Sequence, residues 1–182
     1  MNESVQSTSE QAPSQEEIEL AASVLSRLRP GFLPKELFGE VTRLWTTSIV
    51  EVVPVRHGSD GSEVLLFERP ADDPNWPGQL HTPGTVVRPT DVSDDGSIDK
   101  PLQRIYESEL GFQPEANPNF VGSLLHQVHR GTESATVLYL DLTDVETPAG
   151  TWHDARNLPV NLVETQRGFI DNAVSAFERN QQ

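Results

Sequence analysis

The chain has 182 residues, with 13 Lys+Arg against 28 Asp+Glu, no Cys, and a formal net charge of −15. That length suits one domain with at most a short appendage. The acid excess disfavours loose contact with nucleic acid or an anionic membrane face, and the missing thiols exclude disulfides, thiolate nucleophiles and Cys-based zinc sites.

Residues 1–15 are mostly Ser, Gln, Glu and Thr with little to bury, and read as a disordered tail. They carry no basic region ahead of an apolar run, so no secretory signal is expected. No apolar stretch approaches the roughly 20 residues of a membrane span. A cytoplasmic protein with neither a membrane nor a nucleic-acid partner is therefore expected.

Residues 16–45 form a helical extension. Ile18, Ala21, Ala22, Leu25 and Leu28 recur at helical spacing until Pro30-Gly31 stops them. A second helix after Pro34 has Leu37, Val41 and Leu44 on one face. The pair reads as a lid or packing element, and is the candidate surface for a homodimer. Residues 46–182 form the main domain. Ile49 to Val55 and Glu63 to Phe67 are β-branched and apolar runs across a Gly/Asp turn, hence an antiparallel hairpin. A loop follows, Pro70 to Pro77, then an extended stretch from Gln79 to Val87 broken at Pro83-Gly84. Residues 91–99 are polar loop. Pro101 to Leu110 is a compact helix with Pro near its start and Gly111 at its end. Val121 to Val128 and Ala135 to Leu142 are strands joined at Arg130-Gly131. Leu162 to Phe177 is a final helix with an apolar stripe. The order α-α-β-β-β-α-β-β-α is an α+β mixture rather than a regular βαβ alternation.

The stretch from Trp76 to Phe112 carries the chemistry. Gly84 closes a Pro-Gly-Thr turn, and Arg104, Tyr106, Glu109, Gly111 and Phe112 follow at fixed spacing on the short helix. This resembles the signature of the Nudix hydrolase family: Gly, five residues, Glu, seven residues, then Arg-Glu-apolar-x-Glu-Glu-x-Gly-apolar. Leu65-Leu66-Phe67-Glu68-Arg69, Trp76, Trp152 and Leu158-Pro159 agree with the same family, so the resemblance spans about Ser48 to Phe177. It implies the Nudix fold, a mixed sheet sandwiched between helices. It also implies hydrolysis of a pyrophosphate linkage in a nucleoside diphosphate-linked substrate with Mg2+ or Mn2+. Glu109 would be the catalytic residue and main metal ligand, with the Gly84 carbonyl as a further ligand and an acid from the loop as a substitute base. Arg69, His81 and Arg88 would bind the small phosphorylated substrate.

Three positions depart from the signature. The Glu after Arg104 is Ile105, the first Glu of the later pair is Ser108, and the early Glu falls near Thr90 or Asp91. Nineteen residues separate Gly84 from Arg104 where the signature has thirteen. On a regular helix, positions 105, 108, 109 and 112 share one face, and only Glu109 among them is a carboxylate. Mg2+ takes oxygen ligands, usually one or two carboxylates with waters and substrate phosphates. One helix acid supplemented by the Ser108 hydroxyl is a thin set. Asp91, Asp94, Asp95 and Asp99 in the long loop, or Glu133, Glu146 and Asp154 in later loops, are the candidates to rebuild it. Solvated loop acids are the ordinary alternative. Arg104 is expected in a structural ion pair, and Trp76 and Trp152 either stack on a ring or anchor loops. The second functional reading is a catalytically inactive Nudix-like module that binds a nucleotide-like ligand or a protein partner.

Overall fold

The computed structural model describes residues 12–31, 33–129 and 131–181. Most of the expected tail, 1–11, and Arg130 of the expected β-turn lie outside the described residues. Four α-helices and seven strands occur among the described residues: α1 Gln15–Leu25, α2 Lys35–Leu44, β1 Thr47–His57, β2 Ser62–Glu68, β3 Leu80–His81, β4 Gly84–Val86, α3 Asp99–Ile105, β5 Asn119–Val128, β6 Gly131–Asp141, β7 Thr151–Asp154 and α4 Gln166–Asn180. The class is α+β, with a mixed sheet between helices.

The sheet runs β3-β2-β1-β6-β5, with β4 also on β1 and β7 on β2. Strand β1 is its centre. It pairs parallel with β6 along Thr47 to Val55, antiparallel with β4 over Ile49 to Glu51, and antiparallel with β2 from Val55 onward. Pro54, which has no N–H to donate, falls where β1 has left β4 and not yet met β2.

Side-chain alternation along β1 splits the core in two. Ile49, Val53 and Val55 pack with α4 residues Phe169, Ile170, Ala173 and Phe177 on one face. Val50 and Val52 pack with Leu102, Ile105, Tyr106 and Leu110 on the other. Glu51 has the parity of the α4 face yet is buried, an acid inside an otherwise apolar strand.

Several sequence expectations shift by local geometry. The stretch Gln79 to Val87 is two short strands parted by Thr82-Pro83, because β3 pairs with β2 while β4 pairs with β1. The helix expected over 101–110 is α-helical only to Ile105. Residues 106–110 make one wider π turn, closed by Gly111 N–H to the Tyr106 carbonyl at 2.9 Å with Gly111 at φ 76°. Strand β7 was not expected; its four residues are too short for a period to register.

In the N-terminal extension, Ser14 caps α1 with a reciprocal Glu17 contact, but α1 buries none of its residues. Helix α2 instead packs on β6. Its Thr42 backbone sits on Gly131 (φ 131°), where a Cβ would overlap the Thr42 carbonyl. No described helix is long and apolar enough to cross a membrane.

Candidate functional site

A cleft of about 960 Å³ opens between the sheet, the β2–β3 loop, and α2 with the segments flanking it. Glu51, Arg69, Trp76, Gly84, Arg88, Glu109 and Glu133 are among its lining residues. Five expected site residues were Glu109, Gly84, Arg69, Arg88 and His81; the first four line this cleft. His81 does not. It is buried beside Glu109, with Nδ1 3.9 Å from Glu109 Oε2.

Gly84 acts here through two features of its backbone. Its N–H donates to the Glu109 carboxylate. Its missing side chain makes room for Glu51: the two residues are register partners across β1 and β4, and a Cβ at Gly84 would overlap the Glu51 carboxyl. Thr82 Oγ1 donates to Glu51 Oε2 at 3.0 Å. The π turn carries Glu109 toward Gly84 while Ile105, one turn earlier, stays wholly buried against Leu102 and Leu110. π turns of this kind recur at functional sites.

Burial sets the charge state of these acids. It pushes the Glu109 carboxyl up to about 7, against the opposing pull of Arg69 and the Gly84 N–H. Burial likewise raises Glu51 well above the usual carboxylate range; the Thr82 hydrogen bond opposes this, and the charges of Glu109 and Glu133 add to it. Both acids therefore keep their protons to higher pH than an exposed carboxyl does. Burial and nearby Arg69 lower His81 to about 4. Its Nδ1 lies 2.8 Å from the Thr82 carbonyl, which can only accept, so Nδ1 carries the proton of the neutral ring.

Arg69 is fixed rather than loose. Its guanidinium donates to Asp73 Oδ2 through Nε at 3.0 Å and Nη2 at 2.7 Å, and lies 5.3 Å from the centre of the Trp76 ring. Asp73 Oδ1 accepts from the Asn75 and Trp76 N–H groups. Burial would raise Asp73, but these hydrogen bonds win and hold it at about 2. Trp76 therefore belongs to a braced loop whose ring also meets His129 edge-on.

The loop acids are used elsewhere. Asp91 is buried in a two-pronged pair with Arg104, which also donates to the Val86 carbonyl at 2.9 Å, so Arg104 makes the expected structural pair. Asp91 also accepts the Arg88 N–H at 2.6 Å. Asp95 and Asp99 receive Ser97 groups, and Asp154 pairs with Arg156. Glu146 lines a separate concavity of about 530 Å³ with Arg56 and Glu63. The Ser108 hydroxyl, exposed, donates to the Arg104 carbonyl instead of facing the cleft. Of the candidate late-loop acids, Glu133 alone lines the cleft, and it lies in β6 rather than in a loop. The Arg56 guanidinium lies over the Trp152 ring, 4.2 Å from its centre, and Trp152 is not among the residues lining the cleft. Among the described residues no group of three or more His, Asp or Glu side chains converges as a metal cage. Glu51 escaped the sequence reading, although one signal was available: an acid in the middle of Ile49-Val50-Glu51-Val52-Val53.

No protein-family model matches the sequence, and no curated protein matches it. Solved structures do. The NUDIX domain of Shewanella oneidensis NrtR complexed with ADP ribose matches with TM-score 0.54 at 16% identity, over 87% of this chain and 97% of that one. A MutT NUDIX hydrolase from Burkholderia pseudomallei matches with TM-score 0.52 at 19% identity, over 70% and 98%. A C. elegans Ap4A hydrolase binary complex matches with TM-score 0.52 at 15% identity, over 74% and 99%. These neighbours share the mixed sheet between helices seen here. This chain has the Nudix fold.

Proposed function

We propose that the chain is a Nudix-type hydrolase that cleaves a pyrophosphate linkage in a nucleoside diphosphate-linked substrate, with Mg2+ or Mn2+. The observation that carries this reading is Glu109, seated on the Gly84 N–H in the cleft with its carboxyl held near neutrality. The donor set fits a hard divalent ion. Glu51 and Glu109 offer two carboxylates, the number Mg2+ commonly takes from protein when phosphates and waters complete its shell. A cation can replace the proton that burial makes them keep. When bound, the ion supplies positive charge that offsets charge developing on phosphate oxygens.

The chain's own residues do the rest. Arg69, braced by Asp73, presents a fixed guanidinium to phosphate, and Arg88 extends that surface along the cleft. One carboxyl of the Glu51–Glu109 pair accepts the proton that an attacking water gives up, a role suited to a group poised near pH 7. His81 keeps its neighbour's surroundings dry and uncharged at neutral pH.

The inactive-module reading has one observation in its favour: Ile105 is core and Ser108 is turned away, so α3 and its π turn bring one acid to the cleft. Turnover separates the two. Nucleoside triphosphates, dinucleotides and nucleotide sugars are assayed with Mg2+ and Mn2+. The hydrolase reading expects metal-dependent turnover that Glu109→Gln lowers by about 10²-fold or more. No turnover above that of Glu109→Gln, with nucleotides stabilising the fold independently of metal, establishes the binding module instead.

A further inference from the structure

The basic residues of this acidic chain are unevenly placed. Residues 20–35 carry Arg27, Arg29 and Lys35 and no Asp or Glu, in a chain where acids outnumber bases 28 to 13. The stretch runs from α1 through the connector into the first residue of α2. The connector meets the turn that follows β4: a Cβ at Gly31 would lie 3.7 Å from the Thr90 side chain, an ordinary contact. Arg29 and Lys35 line the cleft, and Arg88 lines it from that turn. Lys100 Nζ donates to the Thr90 carbonyl at 3.1 Å and adds a further positive charge to the turn. Among the described residues, neither Arg29 nor Lys35 has an acid within ion-pair distance.

Arg69 is the cation of the other end, tied to Asp73 and close enough to Glu51 and Glu109 to oppose their raised pKa values. Strand pairing measures the gap between the two basic ends. Gly84 stands opposite Glu51. The Val87 N–H donates to the Ser48 carbonyl at 2.9 Å, and Arg88 continues in extended backbone. Four residues at about 3.3 Å each place Arg88 roughly 13 Å from Gly84. That is further than one pyrophosphate reaches. Ile49 and Val86, register partners on the wall between, are apolar, and α2 contributes Phe38 and Val41 to the same cleft. A run of phosphates would need cations along such a wall, whereas an uncharged body with an anion at each end suits it.

We propose that Arg29 and Lys35, together with Arg88, form a second phosphate subsite, and that the substrate carries a phosphate monoester on its ribose besides the pyrophosphate that is cut. This deepens the hydrolase reading and rests on its placing the pyrophosphate beside Arg69 and the Glu51–Glu109 acids. A monoester presents three acceptor oxygens and takes charge-assisted hydrogen bonds from several donors at once. Arg29 and Lys35 come from a segment outside the sheet and touch no reacting atom; they set which nucleotides the cleft retains.

The test is calorimetric titration of the full chain, without metal so that no hydrolysis intervenes, with AMP, ADP, ATP and adenosine 2′,5′- and 3′,5′-bisphosphate. ADP and the bisphosphates hold the same number of phosphates in different places, which separates a built subsite from general attraction to charge. At least one bisphosphate should bind about tenfold or more tighter than AMP, the scale of one hydrogen bond to a charged group. Arg29→Gln combined with Lys35→Gln should remove that gain while moving ADP by less than about twofold. Both residues are exposed, so the variant should keep the thermal unfolding of the wild type. The comparison of bisphosphates with AMP needs no variant and stands even if it does not. Bisphosphates that bind no tighter than AMP overturn the proposal. So does a bisphosphate gain that survives the substitutions, an equal loss for ADP, a loss confined to ATP, or no binding of any nucleotide at millimolar concentration. Metal-dependent turnover without bisphosphate selectivity would remove this inference alone. Bisphosphate-selective binding without turnover would keep the subsite and remove the hydrolase reading.

Discussion

Replacing Glu109 by Gln should stabilise the metal-free chain, and only where the carboxyl would be ionised. The amide keeps the shape and can still accept from Gly84, but it brings no charge into the cleft. Burial, opposed by Arg69 and the Gly84 N–H, holds the carboxyl at about 7 against an ordinary 4.5. Between those values the folded chain keeps a proton that the unfolded chain has released, so stability falls as pH rises. The penalty is absent below pH 4.5 and complete above about pH 7. At about 1.36 kcal/mol per pH unit, the gap is worth about 3 kcal/mol. The side chain is 26% exposed, so solvent screening trims this figure only modestly. In a chain of this size about 1 kcal/mol moves Tm by about 2–4 °C. Thermal unfolding of both proteins in EDTA from pH 4.5 to 8.5 should show a gain for Glu109→Gln of several degrees at pH 8 and none at pH 4.5. Adding Mn2+ at pH 8 should then favour the wild type, because an ion bound only by the folded state stabilises it. A gain equal at every pH, or none at pH 8, refutes the placement of this carboxyl in a desolvated cleft.

Three further outcomes follow from the same geometry. Asp73→Asn removes a carboxylate held at about 2 against 3.8; stability from a lowered pKa is present above the ordinary value and lost as pH falls through the folded one, so the variant should lose about 2 kcal/mol at pH 7 and nothing near pH 2, read by urea unfolding. Gly84→Ala drives a methyl into the Glu51 carboxyl and should cost about 1–3 kcal/mol by the same measurement, together with the metal-dependent turnover. Ile105→Glu rebuilds the signature's acid at a wholly buried core position; it should destabilise by several kcal/mol rather than restore a ligand, and a folded variant with raised Mn2+ affinity would show that the residue can turn to the cleft.

The cleft was legible wherever its residues lie in one local motif. Gly84, Glu109 and Arg104 are spaced by a single turn-loop-helix unit, and the ends of that unit are marked by Pro and Gly. The six additional loop residues obscured nothing, because Asp91 folds back on Arg104 and closes the insertion on itself. On a regular helix Ile105 and Ser108 share one face with Glu109, where they stand in place of the signature's acids. The π turn changes that face, placing Ile105 in the core and leaving Ser108 exposed while Glu109 alone meets Gly84.

Glu51 was not legible as a site residue, and Glu133 only as one of several late acids that could reach the cleft, for a different reason. One sits inside an apolar strand and the other in a polar strand start, and 82 positions separate them in sequence. The sequence by itself determined the α+β class and the central hairpin through short-range periodicity, and its spacing of Gly84, Arg104 and Glu109 carried the resemblance to the Nudix turn and helix. Tertiary structure alone decided that β1 runs parallel to β6, which sets Glu133 and Glu51 on one face of the sheet. It also decided that α2, anchored on Gly131, covers the cleft. Non-local strand pairing and the close approach of two backbones leave no period in the chain, so the charge of this site becomes visible only once the sheet is assembled.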